Sequence, residues 1–210
     1  DLVIHAIFTR EIRRQKFDQL DTNLIMLIAE KFSSFGESIR TDNLTNEIEI
    51  YYGANKDEIF SKISINPLFK HNGNYLTLKY DFLESYLRSI FIINNIINKS
   101  ITKEALISLE KLNDKNSNEY TYTTKYFRNK KNYEEIKEHL KEIRKNLHKF
   151  EEQAKIEYGK KSISSLIKIY QECSSSTSSK ISQEIIEIFK TEGSTHPHID
   201  NLYITGDFPK

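Results

Sequence analysis

A mainly α-helical chain with one small β-hairpin is the expected architecture of these 210 residues, and three features lead there. Six glycines and three prolines are few for this length, and sparse punctuation favours long helices over many short strands. Apolar residues recur at steps of three and four through much of the chain, the spacing of an amphipathic helix. A lone exception is Asn72-Gly73, set between two apolar, β-prone runs, where both residues tolerate the positive φ of a tight turn.

Taken in order, Asp21-Thr22 is a cap-like pair ahead of Leu24, Ile25, Leu27, Ile28 and Phe32, which share one broad helical face, and Gly36 marks the end of that helix. Residues 41–52 give a looser, partly alternating run. Lys56 to Ile63 returns to helical spacing through Ile59, Phe60 and Ile63. After Pro67 come Leu68-Phe69-Lys70, the His71-Asn72-Gly73 turn and Tyr75-Leu76-Thr77-Leu78, a hairpin. Helix, helix, hairpin is the order of a winged-helix-like module, with residues 68–80 as its wing. From Asp81 a helix carries Phe82, Leu83, Tyr86, Leu87, Ile90, Ile93, Ile96 and Ile97 over so wide an arc that it must be buried on more than one side. It should be the core helix, closing a first region of residues 1–100.

The second region, 101–161, is more polar and reads as a helical linker. Thr102 caps a helix with Ala105, Leu106 and Leu109, and Asn113 to Thr124 is expected to be an exposed loop. Tyr133, Ile136, Leu140, Ile143, Leu147, Phe150 and Ala154 then alternate steps of three and four, a heptad seam that makes the segment coiled-coil-like and in need of a partner along its length. The third region, 162–210, holds a short amphipathic helix with Ile163, Leu166, Ile167 and Tyr170, and then a serine-rich tract at 174–179. A last helix follows through Ile181, Ile185, Ile186, Ile188 and Phe189. Residues 199–209 read as a strand, and a lone strand cannot satisfy its own backbone groups, so they are expected to lead into a further domain.

Charge and chemistry narrow the function. Thirty-one Lys and Arg against thirty Asp and Glu leave a net charge of +1, so no global field draws the chain to nucleic acid or an anionic membrane; such binding would need a local patch. A single cysteine, Cys173, excludes an internal disulfide and reads as an idle thiol in a reducing, cytoplasmic setting. No apolar stretch is long enough to span a bilayer. The opening Asp1-Leu2-Val3-Ile4 has neither an initiator Met nor a signal pattern, and the chain is expected to be cut from something longer. No metal site is expected: His196, His198 and Asp200 lack a fourth ligand and read as a turn. Arg144 and His148 read as a solvated helix face. Lys125, Arg128, Lys130 and Lys131 interleave with Tyr122, Tyr126, Phe127 and Tyr133 in the manner of a single-strand-binding surface, though Glu134 and Glu135 weaken that field. Neither a phosphate loop nor a dinucleotide-binding glycine turn is present, so no catalytic residue is assigned.

Two segments carry a family resemblance. Arg10-Glu11-Ile12-Arg13-Arg14-Gln15 followed by Leu24-Ile25-Met26-Leu27-Ile28-Ala29 resembles the region after the ATPase core in NACHT-type members of the STAND class of signalling P-loop NTPases. The run from Tyr75 to Leu87 is similar to that family's wing strand entering a helix, with Tyr80 where the family has a nucleotide-sensing His and Ser85 where it often has Glu. A phenol donates to a phosphate but carries no imidazolium charge. The resemblance implies an NTPase domain ahead of Asp1 that binds ATP or ADP, no cofactor in this chain, and a C-terminal sensor beyond it, with a solenoid-like lead-in at 202–209. It further implies a two-state coupling role with homo-oligomerisation, in the setting of antiphage defence. Two other readings come from the residues alone. One is a DNA-binding winged-helix regulator whose Lys56 to Lys62 helix enters the major groove, with the 133–154 seam as its dimerisation arm. The other is a helical protein-interaction scaffold.

Overall fold

The computed structural model describes residues 27–32, 38–147 and 149–174, together with residues 10, 180, 183–186 and 188. Contacts divide the chain at Ser174/Ser175 into two units. Of the second unit the described residues are helical. The expected cap at 21–22, the helix end at Gly36, the serine tract at 175–179, His148, the His196/His198/Asp200 turn and the terminal strand lie outside the described residues.

The first unit is mainly helical, with a small three-stranded antiparallel sheet. After the helical segment 27–32 come strand β1 (Ser38–Arg40), helix α1 (Thr41–Tyr52), helix α2 (Lys56–Ser64), and the strands β2 (Phe69–Asn72) and β3 (Tyr75–Leu78). The sheet order is β1-β3-β2, with Ile39 opposite Leu76 and Leu76 opposite His71. The run 41–52, loosely alternating in sequence, is a twelve-residue helix. Leu44 and Ile48 are fully buried one turn apart, whereas Ile50, which produces the apparent alternation, is 75% exposed. Beside it, β1 was not foreseen; three residues are too few for a period-two signal.

The hairpin forms as expected, with its turn shifted by one residue. Asn72 pairs with Tyr75, so Gly73 and Asn74 make the two-residue loop, and only Gly73 has positive φ, at 58°. Glycine at the first central position is the pattern of a II′ turn, whose twist suits a hairpin. Thr41 secures that turn to α1, its backbone N–H and hydroxyl both donating to the Asn74 carbonyl at 2.9 and 3.2 Å. The inward face of the sheet, through Ile39, Phe69 and Leu76, closes on Leu27, Ile28 and Phe32, on Leu44 and Ile48, and on Ile59 and Ile63. Phe32 stacks on Phe69 at 6.5 Å.

Helix α3 (Asp81–Ile97) then leaves the sheet, and it is the core helix its wide apolar arc predicted. Leu83, Leu87 and Phe91 belong to the core just described. Its other contacts are with the helices that follow: α4 (Lys103–Glu110), α5 (Asn118–Lys130) and α6 (Glu134–Leu147). Ile92 and Ile96 are fully buried, and Asn95 donates to Ser108 of α4 at 3.4 Å. Thr102 caps α4 as expected, accepting from the Ala105 N–H at 3.2 Å.

The loop expected at 113–124 is correct only in its first residues. Ser117 accepts from the Tyr120 N–H at 3.1 Å and starts α5. Tyr120, Thr123, Thr124 and Phe127 are buried at helical spacing, so hydroxyl-bearing side chains fill positions where an apolar stripe would have been recognised. Helix α7 (Gln153–Cys173) completes the unit, packing on α4, α5 and α6. The boundary drawn from sequence at 161/162 falls inside this single helix. Gly159 allows α7 to approach the end of α6: a Cβ there would lie 2.7 Å from Leu147 Cδ1 and 3.2 Å from Phe150 Cε2.

Candidate functional site

The β3–α3 junction is where the resemblance located a sensing residue, and the local fold presents that residue to solvent. Pairing of β2 and β3 continues one step past the strand, with the Lys79 N–H donating to the Leu68 carbonyl at 2.9 Å, after which α3 begins. Tyr80 is the N-terminal flanking residue of that helix, in extended conformation, with no side-chain capping bond. Its ring is 44% exposed and stacks on Phe82, itself 40% exposed, at 5.5 Å and 20°. The Lys79 ammonium stands 5.7 Å from the Tyr80 centroid, within cation–π range. Two exposed aromatic rings and a cation thus sit at the start of α3, the opposite of a residue sealed in a core.

From this junction charge leads into the helical half. Glu84 pairs with Arg88 one turn on, and Arg88 reaches Glu119 of α5 at 3.6 Å. Both carboxylates and the guanidinium are largely buried, so removing one partner would strand a charge in a poorly solvated place. Tyr86 meets Tyr122 of α5 edge-to-face at 6.2 Å, and burial pushes its phenol up to about 12.

The alternative DNA-reading lysines both lie on α2, and each is paired. Lys56 contacts Glu49 at 2.9 Å and Lys62 contacts Glu58 at 2.6 Å. The hydrogen bond to Glu49 raises the Lys56 pKa, holding the ion pair. In the basic aromatic segment, Arg128 is held by Glu172 of α7 at 2.6 Å. Tyr122 faces Tyr86, Tyr126 faces Phe127, and Tyr133 meets Tyr170 at 6.2 Å. These rings pack on the protein's own rings.

Of the heptad positions, Ile136, Leu140 and Ile143 are fully buried, Leu147 and Phe150 are buried, and Tyr133 is half-buried. Ala154 is exposed in the first turn of α7. The seam is therefore not one continuous helix. The chain turns at Lys149, whose N–H donates to the Asn146 carbonyl at 2.9 Å, and α7 folds back against α6. Arg144, expected on a solvated face, is buried.

One residue escaped sequence reasoning. His139 of α6 is fully buried, with Nε2 2.9 Å from the Ser100 carbonyl in the α3–α4 connection. A carbonyl only accepts, so Nε2 carries the proton and donates. Nδ1 is buried with no partner. Burial drives the imidazole down to about 4, and Lys99 nearby works in the same direction against the opposing pull of Ser100 and Glu142. Cys173 is buried, donates to the Thr124 carbonyl at 3.4 Å, and is pushed by burial up to about 11, the state of an inert thiol. No group of three metal-ligating side chains occurs among the described residues, and none of their helices is long and apolar enough to cross a membrane.

The chain matches no family model, no curated protein and no solved structure.

Proposed function

We propose that this chain is the non-catalytic regulatory part of a STAND-class, NACHT-type NTPase, acting in the cytoplasm, in antiphage defence, to couple ligand sensing to nucleotide state and oligomerisation. The winged-helix-like module is its moving part, ATP or ADP is held by a preceding NTPase domain, and a sensor domain follows. The observation that carries this reading is the position of Tyr80, exposed beside Lys79 and Phe82 at the point where the hairpin becomes α3. A surface of that kind is open to a neighbouring domain, and α3 is built into both the sheet-side core and the helical half, as a coupling element requires. The order helix, strand, two helices and hairpin, with sheet order β1-β3-β2, supports the winged-helix part of the reading. The ion-paired Lys56 and Lys62 weigh against a major-groove reader, because both ammonium groups would have to abandon carboxylates to reach phosphate or base.

The test is the coding sequence upstream of Asp1 together with nucleotide turnover. A phosphate loop followed by an acidic Walker B strand is the expected finding upstream. The purified chain should turn over no ATP, and Tyr80→Ala in the longer protein should change the retention of bound ADP. A start codon immediately before Asp1, or ATP turnover by the chain itself with contaminants excluded, overturns the proposal.

A further inference from the structure

The outward face of the small sheet gathers cations and an aromatic ring from three separate stretches of sequence. β3 is the central strand, and Tyr75 and Thr77 point the same way, away from Leu76, which is fully buried. Direct pairing sets Arg40 of β1 and Asn72 of β2 on either side of Tyr75, and Ser38 and Lys70 on either side of Thr77. Lys79 extends the same alternation one step beyond the strand, through its bond to Leu68. Tyr75 is 45% exposed, and Arg40, Lys70 and Lys79 are all exposed. Arg40 is clamped by Asp42 at 2.6 Å, but Lys70 and Lys79 have no carboxylate partner among the described residues. Asp81 stands in the first turn of α3.

We propose that this sheet face binds single-stranded nucleic acid, with Lys70 and Lys79 on the phosphates and Tyr75 as the stacking platform for a base. The net charge of +1 excludes binding driven by a global field and leaves only a local patch; this face is one. A flat strand surface with an exposed ring and flanking ammonium groups suits unpaired bases, each of which offers a π-face, better than the closed stack of a duplex. The paired lysines of α2 point to the same choice between single strand and double. The inference is independent of the NTPase reading and survives its failure.

The test is fluorescence anisotropy of the whole 210-residue chain with a labelled oligo-dT and an oligo-U of about 12 nucleotides, against a duplex of equal length, at several salt concentrations. Single strands are expected to bind at low salt and the duplex more weakly. The double variant K70E/K79E should lose at least tenfold in affinity and flatten the logarithmic salt slope by roughly 1.4, two phosphates at about 0.7 each. Tyr75→Ala should lose several-fold, since its ring is the surface on which a base stacks. Circular dichroism checks that each variant is folded, and K145E/K149E, two exposed lysines at the end of α6 and in the turn after it, serves as a charge control that keeps wild-type affinity. No binding at low salt overturns the proposal. So does equal loss in the control, which would mean undirected charge attraction, and so does duplex preference abolished by K56E/K62E, which would place the contact on α2.

Discussion

Acidification should weaken the fold through His139, and the size of the effect follows from its surroundings. In the folded chain the imidazole is neutral down to about 4, whereas its ordinary value is 6.5. Above the ordinary value neither the folded nor the unfolded chain holds a proton there, and the full stability is present. As pH falls from about 6.5 toward 4 the unfolded chain takes up the proton first, and stability is lost. The ceiling is about 3 kcal/mol, from the gap between 6.5 and about 4 at about 1.4 kcal/mol per pH unit, and roughly 2 kcal/mol of it is gone at about pH 5. The physical source is the buried Nδ1, which would have to carry a new proton with nothing to receive it. Urea unfolding followed by circular dichroism at about pH 7.5 and about pH 5, on wild type and on His139→Gln, isolates this contribution from every other titrating group. Gln keeps a donor for the Ser100 carbonyl and does not titrate. Wild type should lose about 2 kcal/mol more than the variant between the two conditions. Equal losses, within about 0.5 kcal/mol, would refute a neutral, sealed imidazole.

Three further outcomes are expected. Gly159→Val should lower stability by about 1–3 kcal/mol, because its branched side chain meets Leu147 and Phe150; an unchanged melting temperature would mean that α6 and α7 do not approach so closely there. Replacing Leu140 and Leu147 together by Asp should abolish the helical circular dichroism signal rather than dissociate an assembly, since both are buried within the chain; a folded monomer by gel filtration would contradict that packing. Ser117→Ala should cost about 1 kcal/mol through loss of the α5 cap, read as a shift in the urea midpoint, and an unmoved midpoint would remove Ser117 from that role.

The legible parts of the fold were those with strong local chemistry. Gly73 fixed a hairpin, Thr102 a cap, and the broad arc of α3 a helix buried on several sides, each because one residue or one period is hard to satisfy otherwise. The misread parts involve competing periods or polar residues used as core. Ile48 and Ile50 mimic alternation although only Ile48 faces inward, and Thr123 and Thr124 are buried in a stretch whose composition suits a loop. The 133–154 seam keeps its heptad spacing past a chain reversal, but its buried positions end with α6 and Phe150, and Ala154, the one position in α7, is exposed. The candidate site was half visible. Tyr80 stood out by resemblance, but the sheet face unites residues 40, 70, 75 and 79, which only strand pairing brings together, and His139 gave no signal beyond sitting next to Leu140.

The sharing of α3 has a mechanical corollary. Seventeen residues at about 1.5 Å each make a rod of roughly 25 Å, gripped at its start by the sheet-side cluster and along its length by α4, α5 and α6. Neither grip can be released without baring apolar side chains of the same rod, so the two halves should melt in one transition. A protease cut in the short segment 98–102 would yield two pieces that stay clasped together rather than two that drift apart.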